Sequence, residues 1–212
     1  MSSWVRKRFE GAGLTQSPPG PHFGVLRAKY RGTALLCIDV SGSMHGSPLR
    51  QAIDGGILFL DEAFDAGYDC GLVLWHHDVE AYVRPGSARA EVADRLAAAV
   101  STGGNDLMPT LRIAKEDLAP LTGDRVLCVF GDGDVGDRSA AVAAARQLCA
   151  LGVRIVVRGL GHGATEQLSA LVCPGQQDEE QLIEDVRSIS AGIASMAKGL
   201  TVSRKSDGGR TC

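Results

Sequence analysis

The sequence predicts an α/β fold, a mainly parallel sheet covered by helices on both faces. From about residue 33 short apolar runs alternate with amphipathic segments of helical period, the pattern of strands joined by crossover helices. Runs such as Ala34-Leu35-Leu36-Cys37-Ile38 and Val126-Leu127-Cys128-Val129-Phe130 read as buried strands. Both lead into loops rich in Gly, Asp and Ser, as at the carboxyl edge of a parallel sheet.

The elements follow in order. Residues 1–32 form a basic, Pro/Gly-rich arm in which Ser17-Pro18-Pro19-Gly20-Pro21 blocks regular structure. After the strand ending at Ile38, a helix is expected over about 47–66, with Leu49, Ala52, Ile53, Gly56, Ile57, Leu60 and Phe64 on one stripe. Ser47 followed by Pro48 reads as its N-cap and first turn. A strand at Cys70–Trp75 is interrupted by His76-His77-Asp78 and resumes at Val79–Val83, giving a hairpin to an antiparallel edge strand.

An Ala-rich helix over about 88–100 precedes the loop Ser101-Thr102-Gly103-Gly104-Asn105-Asp106 and a helix to about 119. The strand 125–130 ends in Gly131-Asp132-Gly133-Asp134, a helix covers about 138–151, and a strand covers Val153–Val157. Gly159-Leu160-Gly161-His162-Gly163 is not G-x-G-x-x-G and has no phosphate-binding lysine, so it reads as a strand-to-helix turn. The last helix is expected over about 178–198, with Leu182, Ile183, Val186, Ile189, Ile193 and Met196 at helical spacing. Residues 33–198 are thus the expected domain and 199–212 a flexible tail.

A composition of 44% apolar and 22% charged residues is that of a soluble globular chain. No run reaches the roughly 18 apolar residues of a membrane span, and the N-terminus lacks a signal peptide's apolar stretch. The expected location is the cytoplasm, with no membrane partner. Charge is uneven, with +5 over residues 1–31, +2 over 199–212 and about −10 between them. Short basic ends on an acidic body are ordinarily solvated, so nucleic acid is not an expected partner. The six cysteines form no C-x-x-C pair and no zinc spacing, and are expected to be reduced structural thiols.

Asp39-Val40-Ser41-Gly42-Ser43-Met44 carries the chemistry. One carboxylate and two hydroxyls, spaced two apart after a buried strand, can point the same way and offer oxygen ligands to a hard cation. The same residue types also cap helices, so a purely structural loop is the plain alternative. Two companion loops, Gly103–Asp106 and Gly131–Asp134, fall at the same sheet edge.

D-x-S-G-S-M after a strand, then G-G-x-D-L, then x-D-G resembles the von Willebrand factor A domain family over about residues 33–198. The resemblance implies a doubly wound, mainly parallel six-stranded sheet with helices on both faces and a short antiparallel edge strand. It implies a metal-ion-dependent adhesion site (MIDAS) in which Asp39, Ser41, Ser43, Asn105 and Asp132 hold Mg2+ or Mn2+. Asn105 stands where the family has Thr, and Gly131 where Thr is usual before the Asp. Asp106 reads either as a cap of the next helix or as a ligand in place of Asn105, and Asp134 as a solvated turn residue.

In this family a partner protein's Asp or Glu completes the metal shell. Met44, His45, Asp106, His76 and His77, with Asp78, are the expected partner-binding rim. His76-His77-Asp78 reads as a polar hairpin tip or, alternatively, a separate metal site. The resemblance is to bacterial cytoplasmic single-domain members, which work beside AAA-type ATPases, including the MoxR type, or in stress and defence systems. Two rival readings remain: a metal-free interaction scaffold and a metal-dependent phosphohydrolase using Asp39. The latter lacks a second carboxylate at Ser41 and a base in a nucleophile motif, so no catalytic residue is assigned.

Overall fold

The computed structural model describes residues 31–176, 180–183 and 185–206. Nearly all of the expected arm, residues 1–30, and the end of the expected tail, 207–212, lie outside them.

β1 (Gly32–Asp39) sits inside the sheet, paired in parallel with β2 (Tyr68–Trp75) on one side and β4 (Arg125–Gly131) on the other. β5 (Arg154–Leu160) and β6 (Glu180–Ile183) extend the β4 side in parallel, and β3 (Val79–Val83) runs antiparallel outside β2. The order β3-β2-β1-β4-β5-β6 reverses direction between β1 and β4, where doubly wound sheets open a crevice at their carboxyl ends.

Successive residues of β1 face opposite sides, as a pleat requires. Ala34, Leu36 and Ile38 join one core with α1 (Ser47–Asp65), α2 (Arg89–Ala97) and α6 (Ile189–Ser206). Leu35 and Cys37 join the other, with α3 (Met108–Leu118), α4 (Arg138–Ala150) and α5 (His162–Ser169). Both faces of the central strands are therefore buried, which explains their unbroken apolar sequence. α1 lies close against α6, and a β-carbon at Gly55 would stand 2.6 Å from the Ser190 carbonyl oxygen.

Four expectations need correction. Ser47 does not cap α1; Gly46, at φ 84°, holds the N-cap position after a tight 3-10 turn, and Ser47 is the first helical residue. The last helix does not begin near 178, because Glu180–Ile183 pairs with β5 as a strand. That helix also runs beyond 198 to Ser206, since fully buried Leu200 extends its apolar stripe and its carbonyl accepts from Tyr68 Oη at 2.9 Å. Finally, Cys149 and Cys173 are not free thiols but form a disulfide, their Cα atoms 5.5 Å apart. Cys37, Cys70 and Cys128 are buried cysteines outside any disulfide, packed as small groups in the core. No helix among the described residues is long and apolar enough to cross a membrane.

Candidate functional site

Asp39 ends β1 fully buried, and the chain then turns through Gly42–Met44. The Ser41 N–H donates to Asp39 Oδ1 at 2.8 Å, folding the loop back over the carboxylate. Ser41 Oγ and Ser43 Oγ are 2.9 Å apart, and the Ser43 hydroxyl donates to Asp132 Oδ2. The Asp132 N–H approaches Asp39 Oδ2 at 3.3 Å and Asn105 Nδ2 approaches the same oxygen at 3.4 Å. The five residues expected as ligands thus lie in one connected polar set at the switch point. Asp132 Oδ1 is buried and accepts no hydrogen bond from the described residues.

Electrostatics make this set uncomfortable without a cation. Burial pushes the Asp39 carboxyl up to about 7; donors from Ser41 pull it down, and the neighbouring Asp132 charge raises it again. Among the described residues no three His, Cys, Asp or Glu side chains cluster to hold a metal. The set here comprises two carboxylates, two hydroxyls and an amide, all able to present oxygen to a hard cation. Gly131 makes the closeness possible, since a β-carbon there would stand 3.2 Å from Asp39 Oδ2 and 3.0 Å from Trp75 Cζ2.

The loops are tied to one another by main chain. The Gly42 N–H donates to the Gly103 carbonyl at 3.1 Å and the Thr102 N–H to that of Val40 at 2.8 Å. The Asp106 N–H reaches the His76 carbonyl at 2.8 Å and the Leu107 N–H that of Val135 at 3.1 Å. Leu107, not Asp106, holds the N-cap position of α3, and Asp106 Oδ1, one residue earlier, accepts from the Met108 N–H at 2.9 Å. Exposed Asp134 accepts from the Gly136 N–H at 3.0 Å and serves the turn.

The expected rim divides. His45 and His77 are exposed, His45 beside Ser101 Oγ at 3.2 Å and His77 beside the Gly104 N–H at 3.4 Å. Met44 is not on the rim: the 3-10 turn carries it inward, fully buried in the α1-side core. His76 is 6% exposed, so it is a wall and not a contact surface. The Asp78 N–H donates to His76 Nδ1 at 2.9 Å, leaving Nε2 to face Glu80 Oε2 at 3.3 Å, and His77 stacks on its ring. That pairing makes His76-His77-Asp78 a hairpin tip. Two polar neighbours, Ser101 and Glu80, escape sequence reasoning; the position of Ser101 beside Thr102-Gly103-Gly104 is the one signal that could have found it.

The sequence profile of the von Willebrand factor type A domain matches residues 34–134, from β1 to the loop after β4. No curated protein matches the sequence. Among solved structures, the chain is similar to the vWF domain of a type V pili tip protein from Porphyromonas gingivalis. The two share 13% identity with a TM-score of 0.72, over 82% of this chain and 96% of that one. The pilus adhesin SpaC from Lactobacillus rhamnosus GG aligns at 14% identity and TM-score 0.67, over 81% of this chain and 30% of the adhesin. Proximal thread matrix protein 1 from the mussel byssus, with a zinc-occupied MIDAS motif, aligns at 14% and 0.66, over 80% of this chain and 48% of that one. This chain therefore spans less than half the length of the latter two, and at such identities the likeness is one of fold.

Proposed function

We propose that this chain, a member of the von Willebrand factor type A domain family, is a metal-ion-dependent protein-interaction module. Asp39, Ser41, Ser43, Asn105 and Asp132 would hold the ion, Mg2+ or Mn2+, by carboxylate, hydroxyl and amide oxygens. The observation that carries this reading is the buried Asp132 Oδ1, with no donor among the described residues, set beside the fully buried carboxylate of Asp39. A buried acceptor left bare costs about 1–3 kcal/mol, and a cation would relieve it. When bound, the ion supplies positive charge that an Asp or Glu of a partner protein can complete.

The chain's own contribution is orientation. The Ser41 N–H holds Asp39 Oδ1, and exposed His45 and His77 flank the approach, with half-buried Asp106 beside them. An AAA-type ATPase is the partner class implied by the resemblance to bacterial single-domain members, and the cytoplasm is the setting that fits it. The zinc in the mussel protein's MIDAS motif supports a metal at this place in the fold, without fixing which ion this chain prefers.

A metal-free scaffold is the second reading, because Asn105 Nδ2 faces Asp39 Oδ2 at 3.4 Å and could neutralise part of its charge. Calorimetric titration with Mg2+ and Mn2+ separates the two. Saturable binding lost in Asp39→Ala and in Asp132→Ala is expected; heat that is absent, or unchanged in both variants, leaves the metal-free scaffold.

A further inference from the structure

Four of the five side chains gathered around Asp39 have only oxygen to offer a cation, and the fifth presents the opposite kind of atom. Asn105 Nδ2 donates to Asp39 Oδ2 at 3.4 Å. The same oxygen faces the Asp132 N–H at 3.3 Å, and the Ser43 hydroxyl donates to Asp132 Oδ2. An amide nitrogen is a donor with nothing to give a cation, whereas the amide oxygen is an acceptor with two lone pairs. In this arrangement Asn105 serves Asp39 as a partial positive charge and is not yet a ligand.

The main chain cannot exchange the two atoms. On one side of Asn105 the Gly103 carbonyl accepts from the Gly42 N–H at 3.1 Å, and on the other the Asp106 N–H donates to the His76 carbonyl at 2.8 Å. The side chain can. Its last torsion is broad and roughly twofold, so a half turn swaps nitrogen for oxygen within nearly the same volume. Asn105 is half-buried, so the amide is not sealed in the core as Asp39 is.

We infer that Asn105 is a two-position amide that regulates ion binding: its nitrogen holds Asp39 in the ion-free protein, and its oxygen turns inward when the site takes a divalent cation. The inference rests on the metal-ion-dependent reading above and specifies how that site is controlled. Turning the amide breaks a hydrogen bond to a carboxylate, which counts against ion binding. A hydroxyl at the same position changes from donor to acceptor by moving its hydrogen alone. Asn105 therefore sets the ion affinity of this chain below that of the same site carrying Thr.

Two measurements on the full chain test it. In a Mg2+ titration followed by NMR, the side-chain amide pair of Asn105, assigned by its loss in Asn105→Thr, should move on saturation. The Asp106 backbone amide, held by the His76 carbonyl, should move far less. By calorimetry, Asn105→Thr should bind Mg2+ at least about tenfold more tightly than the wild type. Thr meets no backbone strain there, since no described residue other than glycine has a positive φ, and thermal unfolding in EDTA checks that the variant folds. Saturable binding with an unmoved Asn105 amide, or with equal affinities in the two proteins, overturns the two-position amide and leaves the metal site standing. Binding in Asn105→Thr alone supports it in its strongest form. Binding in neither protein overturns it together with the metal-dependent reading.

Discussion

Replacing Gly131 by Ala adds a single methyl group at the most crowded point of the site. Its β-carbon would lie 3.0 Å from Trp75 Cζ2 and 3.2 Å from Asp39 Oδ2, a few tenths of an ångström inside ordinary contact. Neither neighbour can yield freely, because Trp75 and Asp39 are both fully buried and Asp39 Oδ2 is approached by Asp132 N and Asn105 Nδ2. Overpacking against two fully buried neighbours falls in the upper part of the usual range, about 2–3 kcal/mol, offset by about 1 kcal/mol because Ala restricts the unfolded chain more than Gly does. A net loss of about 1–2 kcal/mol corresponds to a thermal midpoint lower by about 2–8 °C for a domain of this size. The assay is thermal unfolding in EDTA, so that metal linkage does not enter. Gly104→Ala is the control, since a β-carbon there meets nothing within 4 Å. If Gly131→Ala melts with or above the wild type, the packing argument for a glycine before Asp132 is wrong.

Three further outcomes follow from the same geometry. The Asp39 carboxyl titrates at about 7 in the fold and at about 4 in the unfolded chain, so the folded state holds the extra proton between those values. Metal-free stability should therefore fall as pH rises from about 4 to about 7, and Asp39→Asn should remove that slope; urea midpoints that keep the same pH dependence in the variant would contradict it. The Cys149–Cys173 bridge closes a loop across a sequence separation of 24, and the double Ser variant should lose about 3 kcal/mol in urea unfolding. Tyr68→Phe removes a buried hydroxyl whose one proton lies between two acceptors, the Asp124 carboxylate and the Leu200 carbonyl, at a cost of about 1–2 kcal/mol by the same measurement.

The central strands and the three site loops were legible because each rests on a local pattern. An unbroken apolar run ending in Asp-x-Ser-x-Ser needs no distant information to be read. β6 was not legible, because Leu182 and Ile183 fall by chance on the helical spacing of Val186, Ile189 and Ile193, and a four-residue edge strand is defined by its partner. Met44 was misread for the opposite reason. It adjoins the ligand motif in sequence, and only the 3-10 turn decides that it faces the core. The disulfide depends on the packing of α4 against the segment after α5, which no cysteine spacing encodes. Nor could the sequence reveal that Asn105 directs its amide nitrogen toward Asp39, or that Gly131 leaves the room for Asp39 and Asp132 to approach.

The ties from Gly42 to Gly103, Thr102 to Val40, Asp106 to His76 and Leu107 to Val135 run from peptide to peptide, and none uses a side chain of the five oxygen donors. The scaffold that holds those donors is consequently indifferent to their identity. The amide of Asn105 takes no part in these ties, so its identity can change without loosening the loops around it. Chemistry and architecture at this end of the molecule can thus change separately: a side chain of the polar set can be exchanged while the loops that carry it keep the main-chain ties that place them.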